Sequence, residues 1–84
     1  MKVIKTTNAP GAVGPYSQAI EIDNLVFASG QIALDPATGE MAEGIEAQAH
    51  QALKNAQAVI NASGAKWENV IKTTVFITNI DDFT

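Results

Sequence analysis

Apolar positions along the 84-residue chain change period several times, and each change marks an element. Val3 and Ile4 sit between Lys2 and Lys5, a short strand whose lysines suit a sheet edge. Asn8 to Pro15 holds two glycines and two prolines and reads as a loop of fixed turns. Residues 17–33 read as strand, tight turn, strand: Ala19, Ile20 and Ile22 lie among polar neighbours, Asp23-Asn24 supplies the turn, and Leu25-Val26-Phe27-Ala28 follows. The second strand is apolar on both faces, which predicts a central place in its sheet. Asp35 to Glu40 is a turn by chemistry, with Pro36 presetting φ and Gly39 free to take positive φ.

The helical period is clearest from Ile45 onward. Ile45, Ala49, Ala52, Leu53, Ala56, Val59 and Ile60 recur at steps of three and four, and Glu46, Gln48, His50, Gln51, Lys54, Asn55 and Gln57 fill the other face. This is an amphipathic helix of about five turns, with Gly64 at a left-handed C-cap. Lys66 to Asn69 connects, with Trp67 expected over the helix end. Val70 to Thr78 is rich in β-branched residues and reads as a strand, which a helix of crossover length can place parallel to the strand at 25–33. Asn79 to Phe83 has the capping and acidic signature of a second helix start. A chain that signals a helix and then stops is expected to be incomplete.

Composition narrows what this framework can do. One small domain spans 1–84. A compact chain of 8.8 kDa exposes roughly 4,800 Å² and buries about 60% of its unfolded surface. Hydrophobic residues are 46% of the chain, but many are alanine, so the core is thin and oligomerisation is the available staple. With no cysteine and one histidine, disulfides, thiolate metal sites and multi-histidine metal sites are excluded. Five lysines, no arginine and a net charge of -4 oppose nucleic-acid binding. No apolar run reaches signal-peptide or membrane-spanning length, so a cytoplasmic chain with no membrane partner is expected.

Few side chains can carry chemistry. Tyr16, the one tyrosine, follows Gly14-Pro15, which fix the backbone and present the phenol from a rigid turn. It is either a hydrogen-bond donor to a ligand or an aromatic plug between loop and sheet. Ser29-Gly30-Gln31 ends or interrupts the second hairpin strand, where glycine admits a close ligand or marks a bulge. His50 reads as solvated, Asp35 as a turn residue, and Asp81 and Asp82 as caps.

In order and spacing, Asn8-Ala9-Pro10, Gly14-Pro15-Tyr16-Ser17-Gln18-Ala19, Ser29-Gly30-Gln31-Ile32, Asp35-Pro36 with Thr38-Gly39-Glu40, the Gln48 to Asn55 helix, and Val70 to Ile77 followed by Asp82-Phe83 closely resemble the Rid family, also called YjgF. The resemblance runs along all 84 residues, as the N-terminal two-thirds of the family domain. It implies an α+β, chorismate-mutase-like (YjgF-like) fold: a mixed β-sheet with helices packed on one face, the C-terminal helix and strands missing here. It also implies a homotrimer with inter-subunit clefts.

The implied activity is hydrolysis of reactive 2-imino or enamine acids, such as 2-aminoacrylate and 2-iminobutanoate, to 2-oxo acids and ammonia. That activity protects pyridoxal-phosphate enzymes. No cofactor is implied, because the imine carbon is already electrophilic. The matching site residues are Tyr16, the catalytic candidate in the pocket wall, and the substrate-binding Ser29 and Gly30 bordering it, with the Gly30 backbone holding the substrate's polar atoms. The family's carboxylate-clamping arginine and water-positioning glutamate belong to a C-terminal part not matched here. The 84-residue chain alone is therefore expected to be weakly active or inactive. Two other readings use the same scaffold: a non-catalytic trimeric binding or regulatory module, and a ribonuclease or translation inhibitor, which the charge opposes.

Overall fold

A computed structural model describes residues 1–84. Three strands, β1 (Lys2–Ile4), β2 (Ala19–Ile22) and β3 (Leu25–Ala28), form an antiparallel sheet in the order β1-β2-β3. A helix, α1 (Ile45–Ala62), follows, then 3-10 turns at Trp67–Asn69 and Ile80–Phe83. The β2–β3 hairpin closes as expected. Ile22 pairs with Leu25, and Asp23 takes the left-handed conformation at φ 55°, which aspartate tolerates.

Register decides the faces. Ile4, Ala19 and Ala28 lie side by side across the three strands, as do Val3, Ile20 and Phe27 on the other face. Ile4 and Ala19 pack with Ala9 and Val59, and Val26 and Ala58 join them, so α1 covers this face. The opposite face carries Val3, Ile20, Ile22, Leu25 and Phe27, and all but Ile20 are exposed. An antiparallel sheet that met water there would alternate toward polar residues.

Surface area agrees with an uncovered face. The chain exposes 6571 Å² and fully buries only 7 of its residues, against the roughly 4,800 Å² of a compact monomer of this mass.

The helix keeps its period but not the whole predicted stripe. Val59 and Asn55 are its buried residues, with Ala52 and Ala56 partly covered, while Ile45 and Leu53 are exposed. Asn55, expected on the polar face, therefore points inward. Its amide is a bonding group rather than a packing one, which hydropathy alone does not register. At the C-terminus, Ser63 caps and Gly64 follows at φ 90°, donating to Asn61 O at 3.0 Å. This is the expected left-handed ending.

Three further expectations are corrected. First, β3 is an edge strand and β2 is central. Apolarity on two faces reports cover above and below, whereas position in a sheet depends on backbone partners at the edges. Second, β3 ends at Ala28, not near residue 33. Third, residues 71–78 form no strand and make no backbone–backbone hydrogen bond, and Ile71, Val75 and Phe76 are exposed. A β-branched run has strand propensity, but a strand needs a neighbour to pair with. Trp67 also differs from expectation. It lines a shallow groove of about 400 Å³ with His50, Leu53, Lys54 and Gln57, along the side of α1.

Asn79 caps the last turn, its Oδ1 accepting from Asp81 N at 3.1 Å. No helix is long and apolar enough to cross a membrane.

Candidate functional site

Gln18 organises the N-terminal half of the site. It stands one residue before β2, is only 4% exposed, and spends its whole amide on backbone. Its Oε1 accepts from Thr6 N at 2.7 Å, and its Nε2 donates to Thr6 O at 3.0 Å, an extra rung that continues the β1–β2 ladder through a side chain. The same Nε2 donates to Pro10 O at 2.8 Å and lies 3.4 Å from Ala9 O. These contacts hold the Asn8–Pro15 loop against the sheet.

Tyr16 is carried by that anchored loop. Tyr16 N donates to Gly14 O at 3.0 Å across a turn in which Gly14 has φ 125°, a conformation that favours glycine. Tyr16 is 49% exposed, and its hydroxyl makes no hydrogen bond within the chain. It lines a cleft of about 540 Å³ with Lys5, Thr6, Thr7, Ala12 and Pro36 among the walls.

The backbone of Gln18 ties this half to the second candidate segment. Ser29 N and Ser29 Oγ both donate to Gln18 O, each at 3.0 Å, just beyond the Ala19–Ala28 pair. Gly30 then stands in the open: an added Cβ would meet nothing within 4 Å, and its φ is not positive. The N–H and C=O of Gly30 and Gln31 make no hydrogen bond within the chain. Neither a bulge nor a crowded backbone explains the glycine.

Downstream, the chain is pinned again. Asn55 Nδ2 donates to Ile32 O at 2.9 Å and Leu34 O at 2.8 Å. Ala42 N donates to Ala33 O at 2.9 Å, and Leu34 bridges Met41. The turn between them is the predicted one, with Ala37 N donating to Asp35 Oδ1 at 2.8 Å and Gly39 at φ 76°. Ser29 thus fixes the strand end through Gln18, which joins it to the Tyr16 loop, and the N–H groups of Gly30 and Gln31 beyond it are free. The cleft that Tyr16 lines does not include Ser29 or Gly30, so within one chain the two halves are linked by backbone rather than by one shared wall. His50 is exposed on α1, away from these groups, as expected.

Sequence reasoning missed Gln18 and Asn55 as structural keys. Both stood inside quoted motifs, and the signal available was a side-chain amide at a place where the chain needs backbone partners.

These segments coincide with a known pattern. A family model described as Endoribonuclease L-PSP matches residues 6–84. The chain belongs to this family, the Rid/YjgF family of the sequence resemblance. Its sequence is similar to a Salmonella typhimurium protein named 2-iminobutanoate/2-iminopropanoate deaminase, with 48% identity over 82 residues, covering 98% of this chain and 64% of that protein. In three dimensions this Rid/YjgF chain resembles the crystal structure of E. coli TdcF with bound serine, at a TM-score of 0.96 and 44% identity, covering 99% of this chain and 65% of that one. It resembles equally the Rid family protein YyfA from Yersinia pestis, at a TM-score of 0.95 and 49% identity, covering 98% of this chain and 66% of that one. The three antiparallel strands and one helix match the corresponding part of the YjgF-type fold. The chain spans just under two thirds of the length of the curated relatives it matches.

Proposed function

We propose that the protein hydrolyses reactive 2-imino and enamine acids, among them 2-aminoacrylate and 2-iminobutanoate, to 2-oxo acids and ammonia. The observation that carries this reading is the coincidence of the Tyr16 and Ser29-Gly30 motifs, held as described, with 48% identity to a relative bearing that activity's name. A solved relative described with bound serine supports a small amino-acid-like ligand.

The chemistry needs little from the protein. Water adds to the imine carbon, the resulting carbinolamine loses its C–N bond, and ammonia leaves while the carbonyl forms. The Gly30 and Gln31 N–H groups are free donors on a fixed strand end, suited to a carboxylate. The Tyr16 hydroxyl is a free donor and acceptor on a rigid turn, suited to the nitrogen or to the incoming water. Holding the substrate in one orientation is where the rate is gained. The sequence has no arginine, so carboxylate contacts from residues 1–84 fall to backbone donors such as these and to lysine, of which Lys5 lines the Tyr16 cleft.

The apolar sheet face of Val3, Ile20, Ile22, Leu25 and Phe27 supports assembly, and we place the active form as a cytoplasmic homotrimer with sites between subunits. A site shared between copies also fits the separation of Tyr16 from Ser29-Gly30 within one chain.

The test is direct. A pyridoxal-phosphate threonine dehydratase generates 2-iminobutanoate in the presence of the complete protein, and release of 2-oxobutanoate is followed. The reading expects release faster than spontaneous hydrolysis, and a reduced rate for Tyr16→Phe. Release at the spontaneous rate, with a small acid still bound, would favour the non-catalytic binding module.

A further inference from the structure

From the relay on α1 we infer that Asn55 is a positioning residue for the Gly30 strand end, and that Gln51 sets its orientation. The inference rests on the reading of Gly30 as substrate-holding backbone.

The Asn55 amide has two unlike ends. An asparagine side chain turned by half a revolution exchanges donor for acceptor, so its usefulness depends on what fixes it. Gln51, one helical turn earlier, donates from Nε2 to Asn55 Oδ1 at 2.8 Å. With the oxygen engaged on the helix side, both Nδ2 hydrogens face the loop. They reach Ile32 O and Leu34 O, at 2.9 and 2.8 Å.

The chain bends at Ala33, between the two carbonyls that Asn55 holds. The intervening Ala33 O accepts from Ala42 N instead. The segment just downstream of Gly30 is thus held from two sides, by Asn55 and by Ala42. Upstream, Ser29 is held twice to Gln18 O. Gly30 and Gln31 form the short span between two pinned points, which keeps their free N–H groups in place without using them.

Burial marks the residue as more than a helix surface group. Asn55 is 1% exposed and fully satisfied, and no buried side-chain polar atom in the chain lacks a partner. A residue needed only for packing at that position would be apolar, like Val59 one turn later. The polar choice gives a directional link between α1 and a loop 21 to 23 residues earlier.

The experiment compares Asn55→Asp, Asn55→Ala and Gln51→Leu with wild type in the complete protein. Asn55→Asp keeps the shape and the Oδ1 acceptor but faces two carbonyls with a carboxylate oxygen. Gln51→Leu leaves Asn55 intact and removes only the group that orients it. Two readouts are taken on folded protein: kcat/KM for 2-iminobutanoate, and amide exchange at Ser29 and Ala42. For Asn55→Asp we expect kcat/KM to fall by about 10²-fold, the loss typical of a misplaced catalytic contact, with faster exchange at Ala42 and unchanged exchange in β1. Gln51→Leu should move both readouts in the same direction by less.

Unchanged kcat/KM and unchanged Ala42 exchange in folded Asn55→Asp overturn the inference. Should both Asn55 variants fail to fold, Gln51→Leu decides by the same two criteria. Faster exchange with unchanged kcat/KM assigns Asn55 a structural role alone and also overturns the inference. Should wild type show no imine hydrolysis, the functional reading fails separately, and affinity for 2-oxobutanoate together with Ala42 exchange still decides whether Asn55 positions a binding strand.

Discussion

Replacing Gln18 by alanine removes three well-formed hydrogen bonds at once, those at 2.7, 2.8 and 3.0 Å. The fourth contact, at 3.4 Å, is too long to count for much. Each neutral bond contributes about 1 kcal/mol net in mutational series, so the loss is about 3 kcal/mol. A domain of this size has roughly 5–15 kcal/mol in total, which makes a single amide a large part of it. Gln18→Glu sharpens the test. The new carboxylate keeps the bond from Thr6 N but turns its second oxygen toward the carbonyls of Thr6, Ala9 and Pro10. It should therefore cost more than alanine, about 4 kcal/mol, since a poorly paired buried charge exceeds a lost neutral bond. Lowering the pH protonates that carboxyl, returns one donor and narrows the gap to wild type.

Urea unfolding of the complete protein, followed by Trp67 fluorescence, gives both values. Exchange at Thr6 N–H reports the rung itself. Both variants should also lose activity, because the Tyr16 loop hangs from Pro10 and Gln18. Stabilities within about 0.5 kcal/mol of wild type for both, the range of ordinary surface substitutions, would refute the clamp. Gln18→Glu more stable than Gln18→Ala at neutral pH would refute the assigned orientation of the amide.

Other consequences follow from the same packing. Val59 is fully buried at the contact of α1 with the sheet, so Val59→Ala should cost about 2 kcal/mol in urea unfolding. Gly64 holds φ 90° with open space around it, so Gly64→Ala should cost about 1 kcal/mol through backbone strain alone, and no contact should change. Phe27 lies on the uncovered apolar face, so Phe27→Lys should shift the complete protein from oligomer toward monomer in sedimentation velocity while keeping its helical circular dichroism.

Much of the fold was legible because it depends on local chemistry. The hairpin turn at Asp23, the Asp35–Glu40 turn, the length of α1, the Gly64 ending and the Asn79 cap each follow from residues within a few positions of one another. What was not legible depends on partners distant in sequence. The 70–78 run has the composition of a strand, yet propensity does not supply a neighbour to bond with. β3 looks central from its two apolar faces, but composition says nothing about which edge is occupied. For the candidate site, Tyr16 stands out on its Gly-Pro turn and Ser29-Gly30 at the end of β3. Gln18 and Asn55 do not, because a buried amide and a solvated one look alike in a sequence. Only the carbonyls of residues 6, 10, 32 and 34, brought near by the fold, tell them apart.

The central claim is that the fixed strand end at Gly30, together with Tyr16, receives a small 2-imino or 2-oxo acid. Titration of the isotopically labelled complete protein with 2-oxobutanoate tests it most directly, since the product carries the same carboxylate and needs no turnover. The account predicts saturable chemical-shift changes that are largest at the Gly30 and Gln31 amides and at the Tyr16 ring, and that weaken in Tyr16→Phe. Changes confined to the His50–Trp67 groove, or no saturable change at Gly30, would contradict it.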